Sequence, residues 1–103
     1  MSDPKARATR IVNDAADDLV GLSHWIHQHP EIGWQEHESC AHVAAFLADR
    51  GFAVTTPVVD LDTAFHATVG TGDLHVALFA EYDALPGLGH ACGHNIIASA
   101  SVG

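Results

Sequence analysis

The stretch "LFAEYDALPGLGHACGHN" (residues 78–95) joins an apolar run to a loop rich in glycine, acidic residues and histidine. The apolar residues that lead into it, from Val76 to Ala80, do not alternate with polar ones, which is typical of a strand covered on both faces. Open α/β sheets place their sites at the carboxyl ends of such strands. We therefore predict an α/β fold in which a central strand over 76–80 leads directly into a functional loop.

A long amphipathic helix is predicted near the N-terminus. Apolar residues recur at three- and four-residue steps from Ile11 to Ile26, which gives a helix one apolar face. This helix is expected to run to about His29, because the residue before Pro30 is disfavoured in the helical conformation.

A second helix is predicted over residues 36–50, and a third begins near Cys92. Cys40 lies on the apolar face of the second helix, so it is interpreted as a small buried apolar group. Gly51 stands just after this helix, where a left-handed cap is favoured.

Extended segments follow Gly51. They are "FAVTT" (52–56), "TAFHATV" (63–69) and "LHVALFA" (74–80), and "GTGD" (70–73) predicts a hairpin between the last two. The predicted order is two helices, strands of a central mixed sheet, and the start of a helix. A sheet whose central strand is covered on both faces needs more elements than these. Residues 1–103 are therefore expected to be an incomplete, N-terminal part of a longer protein, or to need a partner that completes the fold.

Composition restricts the classes of partner. Thirteen acidic residues against four basic ones give a formal net charge of −9, which repels nucleic acid and anionic membrane surfaces. The sequence also lacks a run of about 20 apolar residues that could span a bilayer, and it lacks the apolar core of a signal peptide. These features predict a cytoplasmic protein without a nucleic-acid or membrane partner.

Cys92 and His94 are a candidate metal pair. Thiolate and neutral imidazole are good ligands for zinc, manganese, cobalt or nickel, and Gly93 gives the backbone freedom that lets them converge. Glu81 and Asp83 could orient an imidazole ligand or bind metal themselves, although acids before Pro-Gly are also typical of an ordinary turn. From spacing alone, a metal pair and a buried cysteine beside a structural histidine are equally open.

A resemblance narrows these alternatives. "HQHPEIGWQEHES" (27–39) followed by "AEYDALPGLGHACGHN" (80–95) resembles the N-terminal region of the cocatalytic-zinc amidohydrolases related to aminoacylase, including hippurate hydrolases and indole-acetyl-amino-acid hydrolases. The sequence of the second motif is most similar to that of the amidohydrolase and Xaa-Arg dipeptidase branch. The likeness covers almost the whole chain and implies a zinc-exopeptidase-like catalytic domain.

The resemblance also implies roles for individual residues. Cys92 and His94 correspond to metal ligands in a site for two divalent ions, which could be Zn, Mn, Co or Ni. Asp83 corresponds to a catalytic carboxylate that organises the site. Glu81 stands where related peptidases have a metal-binding histidine, so direct ligation by this acid is not implied. His90 matches a position that is not assigned as a ligand and is interpreted as structural.

The implied function is hydrolysis of amide bonds in N-acyl amino acids or dipeptides by a metal-activated water, in a homodimeric parent protein. The general base and the remaining ligands would lie outside these 103 residues, so the isolated chain is expected to bind zinc weakly and to be inactive. The alternative is a non-catalytic metal-binding or interaction module with the same fold segment. The reading frame after Gly103 would distinguish the two.

Overall fold

The computed structural model describes residues 3–103, which form four helices and one two-stranded sheet. None of the helices in this range is both long and apolar enough to cross a membrane. The combination of helices with a small sheet agrees with the predicted α/β class. In chain order the elements are α1 (Pro4–Asp14), α2 (Ala16–Gln28), α3 (His37–Ala48), β1 (Ala53–Thr55), β2 (His66–Thr68) and α4 (His94–Val102).

The N-terminal helical stretch is divided into α1 and α2, whereas the apolar stripe predicts one continuous helix. The break is at Ala15, which has φ of −92° and ψ of 3°. No residue of α1 is buried, but Leu22 and Ile26 of α2 are. Only the second half of the stripe therefore faces the core, because α2, rather than α1, packs against α4. The helix ends at Gln28, as the proline at position 30 predicts.

The prediction for α3 is confirmed within two residues at each end. Cys40 is buried in the apolar core, and Gly51 follows the helix with φ of +91°. The N–H of Phe52 donates to the carbonyl of Leu47 at 3.1 Å, which closes the end of the helix. Burial makes Cys40 a packing residue.

The core lies where α2, α3 and α4 meet. Hydrogen bonds add to this packing: the Ser99 hydroxyl donates to the Leu19 carbonyl at 2.5 Å, and the Asn95 amide donates to the Ser23 hydroxyl at 3.1 Å. Both bonds join α4 to α2, so the start of α4 is held firmly against the core. The buried apolar cluster consists of Leu22, Ile26, Cys40, Val43, Tyr82 and Ala98.

The sheet differs from the prediction. β1 and β2 pair antiparallel, with Ala53 opposite Thr68 and Thr55 opposite His66. The hairpin predicted at residues 70–73 is wrong, because β2 pairs with the strand before it rather than with the segment after it.

The strand predicted over residues 76–80 is also wrong. Residues 74–79, here called the apolar segment, are not paired with any strand in the part of the chain that the structure describes. Their large side chains are exposed instead of covered, including Leu74, Val76, Leu78 and Phe79. A strand needs partners for its backbone N–H and C=O groups, and the β1–β2 sheet does not supply them here.

Candidate active site

The two sequence motifs, residues 27–39 and 80–95, lie side by side in the fold. Ala84 forms a parallel bridge with Ile32, and the N–H of Ala84 donates to the carbonyl of Glu31 at 2.7 Å. Motifs that are separated by 40 residues or more in the sequence therefore form one continuous surface.

Glu31 connects this surface to α3. Its carboxylate accepts hydrogen bonds from the backbone N–H groups of Ser39 at 2.6 Å and Glu38 at 3.0 Å, in the first turn of the helix. Burial alone would raise the pKa of Glu31, but these bonds outweigh it and hold that pKa below its usual value. No role for Glu31 is predicted from the sequence. The signal that could have found it is an acid shortly before a helix start.

The loop after Asp83 folds into a tight turn. Leu85 and Gly89 exchange backbone hydrogen bonds of 2.9 and 3.2 Å. Gly89 has a positive φ of +69°, and Gly93, immediately before α4, has φ of +83°. Both are conformations that glycine adopts without steric cost. After this turn the chain runs back, so that the first residue of α4, His94, lies beside Asp83.

His94, the first residue of α4, lies between two carboxylates. Its Nδ1 is 2.7 Å from Oδ1 of Asp83 and 3.0 Å from the carbonyl oxygen of the same residue. A carbonyl oxygen can only accept, so Nδ1 is the donor. The other ring nitrogen, Nε2, lies 3.1 Å from Oε2 of Glu81. Asp83 thus fixes the orientation and the tautomer of the imidazole from one side, while Glu81 contacts it from the other.

The structure brings together the predicted residues Asp83 and His94, but it leaves Cys92 outside this group. The thiol is free and exposed on the loop. In residues 3–103, no three side chains of His, Cys, Asp or Glu are arranged so that they could hold a metal ion. The contact between Glu81 and His94 could not be predicted from the sequence, because an acid at the end of an extended segment can point to either side of the chain.

His90 is a buried residue of the loop. It is 8% exposed, and neither ring nitrogen has a hydrogen-bond partner among the described residues. Burial holds the pKa of His90 below its usual value, and the neighbouring His27 and His94 lower it further, while Asp83 opposes them. The ring is therefore a neutral packing group at neutral pH.

A cleft of about 410 Å³ opens beside Glu81 and Asp83. The hydroxyl of Thr63 donates to Oε1 of Glu36 at 3.2 Å, and the Tyr82 hydroxyl donates to the Thr63 carbonyl at 2.5 Å. Burial raises the pKa of Tyr82 far above its usual value, so its hydroxyl stays a donor. The rest of the lining comes from both motifs and from the residues before β2, namely Gly33, Trp34, Leu61, Ala64 and Ala80.

A second depression, of about 490 Å³, lies between α2 and α3. It is lined by residues such as Trp25, His42 and Arg50, and none of the predicted site residues belongs to it. The smaller cleft is the better candidate because it adjoins the pair formed by Asp83 and His94.

Three proteins illustrate what the chain is similar to. It is 39% identical to a mouse Xaa-Arg dipeptidase over 95% of this chain and 25% of that protein. It is 34% identical to one of the subunits of p-aminobenzoyl-glutamate hydrolase from Escherichia coli, over 89% of this chain and 24% of that protein. It is 31% identical to an N-acetyldiaminopimelate deacetylase of Lactiplantibacillus plantarum, over 84% of this chain and 27% of that protein.

The chain spans about a quarter of the length of these curated relatives. No protein-family model matches it. The regions compared nevertheless cover 84–95% of this chain. The chain corresponds to part of these relatives, and it belongs to the amidohydrolase family that contains these dipeptidases, hydrolases and deacetylases.

Proposed function

We propose that the complete protein is a metal-dependent hydrolase of amide bonds in N-acyl amino acids or dipeptides. Residues 1–103 would be the N-terminal segment of its catalytic domain, a zinc-exopeptidase-like fold with a central mixed sheet. The observation that carries the proposal is the imidazole of His94 between Asp83 and Glu81, in a chain similar over most of its length to proteins named as hydrolases of such compounds.

The donor chemistry of the loop fits a divalent metal ion. A ligating histidine commonly donates its other ring N–H to a carboxylate, and Nδ1 of His94 does so to Asp83 at 2.7 Å. Nε2 of His94 and the thiolate of Cys92 would hold the metal, with the remaining ligands supplied from outside these residues. Zn, Mn, Co and Ni all accept this donor pair, and the proposed site holds two ions.

Each residue has a separate task in the proposed reaction. Asp83 keeps the proton on Nδ1 of His94 and prevents rotation of the ring. The cleft beside Glu81 receives the substrate and keeps its amide close to the imidazole. When bound, the metal supplies polarisation of the amide carbonyl and a water of lowered pKa.

Metal binding also defines the role of Glu81. Its carboxylate contacts Nε2 of His94, so an incoming metal ion must either displace it or share it as a ligand. Titration of the metal-free protein with zinc separates these cases: Glu81→Ala tightens binding if the carboxylate competes and weakens it if the carboxylate is a ligand.

The proposed function is tested with the protein expressed from its complete reading frame. We expect release of the amino acid from N-acyl amino acids or dipeptides, loss of activity on chelation, and recovery with a divalent metal. Cys92→Ala should abolish the metal-dependent rate, whereas Cys40→Ala, which alters only the core, should affect stability alone. Equal activity of Cys92→Ala and the wild type would reject the metal role of Cys92, and absence of amide hydrolysis by the wild type would reject the function.

A non-catalytic metal-binding or interaction module is the second candidate. The observation in favour of its interaction form is that residues 3–103 contain no arrangement of three potential metal-binding side chains. A stop codon after Gly103 would favour this candidate, and so would weak zinc binding that persists without any amidase activity in the product of the complete reading frame.

The proposal also covers the location, the oligomeric state and the partners of the protein. We infer a cytoplasmic homodimer that acts on small substrates and has neither a nucleic-acid nor a membrane partner. The net charge of −9 supports the last two points. Gel filtration of the complete protein with light scattering tests the dimer.

A further inference from the structure

Trp34 has a backbone conformation that tryptophan rarely adopts. Its φ is +72°, in the left-handed region where a large side chain is a true outlier. The N–H of Gln35 donates to the carbonyl of Ile32 at 3.0 Å and closes a four-residue turn in which Trp34 is the third residue. Glycine or asparagine is favoured at that position when φ is positive. In this turn glycine stands one position earlier, at Gly33, and the tryptophan carries the strained conformation.

The surrounding structure fixes this turn on both sides. Before it, Ile32 is bridged to Ala84, and the Glu31 carbonyl accepts from the same residue. After it, the chain enters α3, whose first turn is capped by the Glu31 carboxylate. Strained residues persist where the surroundings over-determine them, and they concentrate at functional sites. The anchors therefore hold the indole in a position that a relaxed turn would not give.

Trp34 is 76% exposed and is one of the residues that line the cleft beside Glu81 and Asp83. Polar groups in this cleft already contact each other: Glu36 accepts from Thr63, while Glu81 and Asp83 contact His94. The lining also contains apolar residues, namely Leu61, Ala64 and Ala80, and Trp34 is the largest side chain in it.

We propose that Trp34 is a specificity-determining residue, whose indole packs against a bulky apolar or aromatic substituent of the amide substrate. The amide lies at the His94 end of the cleft, and the substituent lies on the indole. This assignment rests on the hydrolase function proposed above. Stacked or edge-to-face aromatic pairs gain energy beyond the burial of their surface, so an aromatic substituent should bind about tenfold more tightly than a methyl group in its place.

The test compares substrates that differ only in one substituent, using the protein from its complete reading frame. N-benzoyl-alanine against N-acetyl-alanine varies the acyl group, and N-acetyl-phenylalanine against N-acetyl-alanine varies the amino acid. In at least one pair, Trp34→Ala should raise the KM of the aromatic member about tenfold. The KM of N-acetyl-alanine and all kcat values should stay within about twofold, and Trp34→Phe should retain most of the preference.

Val59 provides a matched control for backbone strain. It too is a bulky residue with positive φ, at +52°, and it is 86% exposed, but it does not line the cleft. Glycine accepts this conformation, so Val59→Gly and Trp34→Gly should both have thermal midpoints no lower than that of the wild type. Only Trp34→Gly should lose the preference for the aromatic substrate.

Three outcomes would overturn the assignment. The first is an unchanged substrate preference in both pairs, and the second is an equal loss of kcat on all three substrates. The third is a lower thermal midpoint for Trp34→Gly with unchanged preference, which would mean that other parts of the protein cover the indole.

Failure of the proposed function would look different, because the wild type would then hydrolyse none of these compounds. Equilibrium binding of N-benzoyl-alanine and N-acetyl-alanine to the wild type and Trp34→Ala would still decide the role of Trp34. The role of Trp34 is supported if the wild type binds N-benzoyl-alanine about tenfold more tightly than N-acetyl-alanine and the variant does not. It is rejected if the wild type binds the two compounds equally.

Discussion

The apolar segment (74–79) and the loop at residues 81–95 are neighbours in the sequence but lie in opposite environments. The segment has the more apolar sequence and is exposed, whereas the loop is rich in polar and glycine residues and contains buried positions such as Tyr82, Ala84 and His90. The loop has partners for its backbone in Glu31 and for its side chains in Thr63. Hydrophobicity alone therefore does not bury a stretch of chain; partners for its polar backbone are needed as well.

The largest effect on the free energy of unfolding is expected from a comparison of two aromatic residues that are three positions apart in the sequence. Tyr82 is 7% exposed and Phe79 is 80% exposed. Tyr82→Ala removes a buried ring and the hydrogen bond to the Thr63 carbonyl, so it should lower the free energy of unfolding by about 3–5 kcal/mol. Phe79→Ala should change it by less than about 0.5 kcal/mol. Urea unfolding followed by circular dichroism measures both, and similar losses for the two variants would contradict the contrast.

An intermediate effect is expected at Glu31, which anchors the loop. Glu31→Gln weakens the charge-assisted bonds from Ser39 and Glu38 and should cost about 1–2 kcal/mol at neutral pH. Because the pKa of Glu31 is lowered in the folded state, its contribution is present above the unfolded-state pKa of about 4.5 and is lost as the pH falls through the folded-state value.

Acid unfolding curves test this dependence. The difference in stability between the wild type and Glu31→Gln should shrink as the pH falls below about 4.5. Glu38→Gln, in the first turn of α3, is the control: it removes an exposed carboxylate but keeps the backbone N–H that donates to Glu31, so its cost in stability at neutral pH should be smaller than that of Glu31→Gln. A constant difference between wild type and Glu31→Gln across the acid range would show that the charge of Glu31 does not support the helix start.

The smallest effect is expected in the apolar segment itself. Leu78→Lys places a charge on an exposed position, so the free energy of unfolding should change by less than about 0.5 kcal/mol. Binding of a hydrophobic dye should fall, because part of an exposed apolar patch is removed. Leu78→Ala is the control for size without charge. A loss of more than about 1 kcal/mol in Leu78→Lys would place this side chain in a buried environment.

Local signals in the sequence predicted the parts of the fold that depend on neighbouring residues. Pro30 and Gly51 correctly predicted helix ends, and Cys40 was correctly predicted to be buried. The break at Ala15 was missed because the apolar period continues through it, although no residue of α1 (Pro4–Asp14) is buried. The strand over 76–80 was wrong because strand formation depends on a partner, and a single segment carries no information about whether one is present.

For the candidate site, the sequence predicted roles for Asp83 and His94, and in the structure Nδ1 of His94 lies 2.7 Å from Oδ1 of Asp83. The sequence did not predict the hydrogen bonds by which Glu31 caps α3, or the contact of Glu81 with His94. Both depend on where side chains turn after distant segments have packed, and motif spacing does not encode this. The metal role of Cys92 and His94 remains a prediction that metal titration tests.

The position of His94 at the beginning of α4 has a practical consequence for protein engineering. Ala98, one helical turn later on the same helix, is fully buried in the core. A larger side chain there would shift the helix along or away from α2 and would carry the imidazole with it. Libraries that vary Ala98 could therefore adjust the geometry of the imidazole from the interior, without altering any group that faces the cleft.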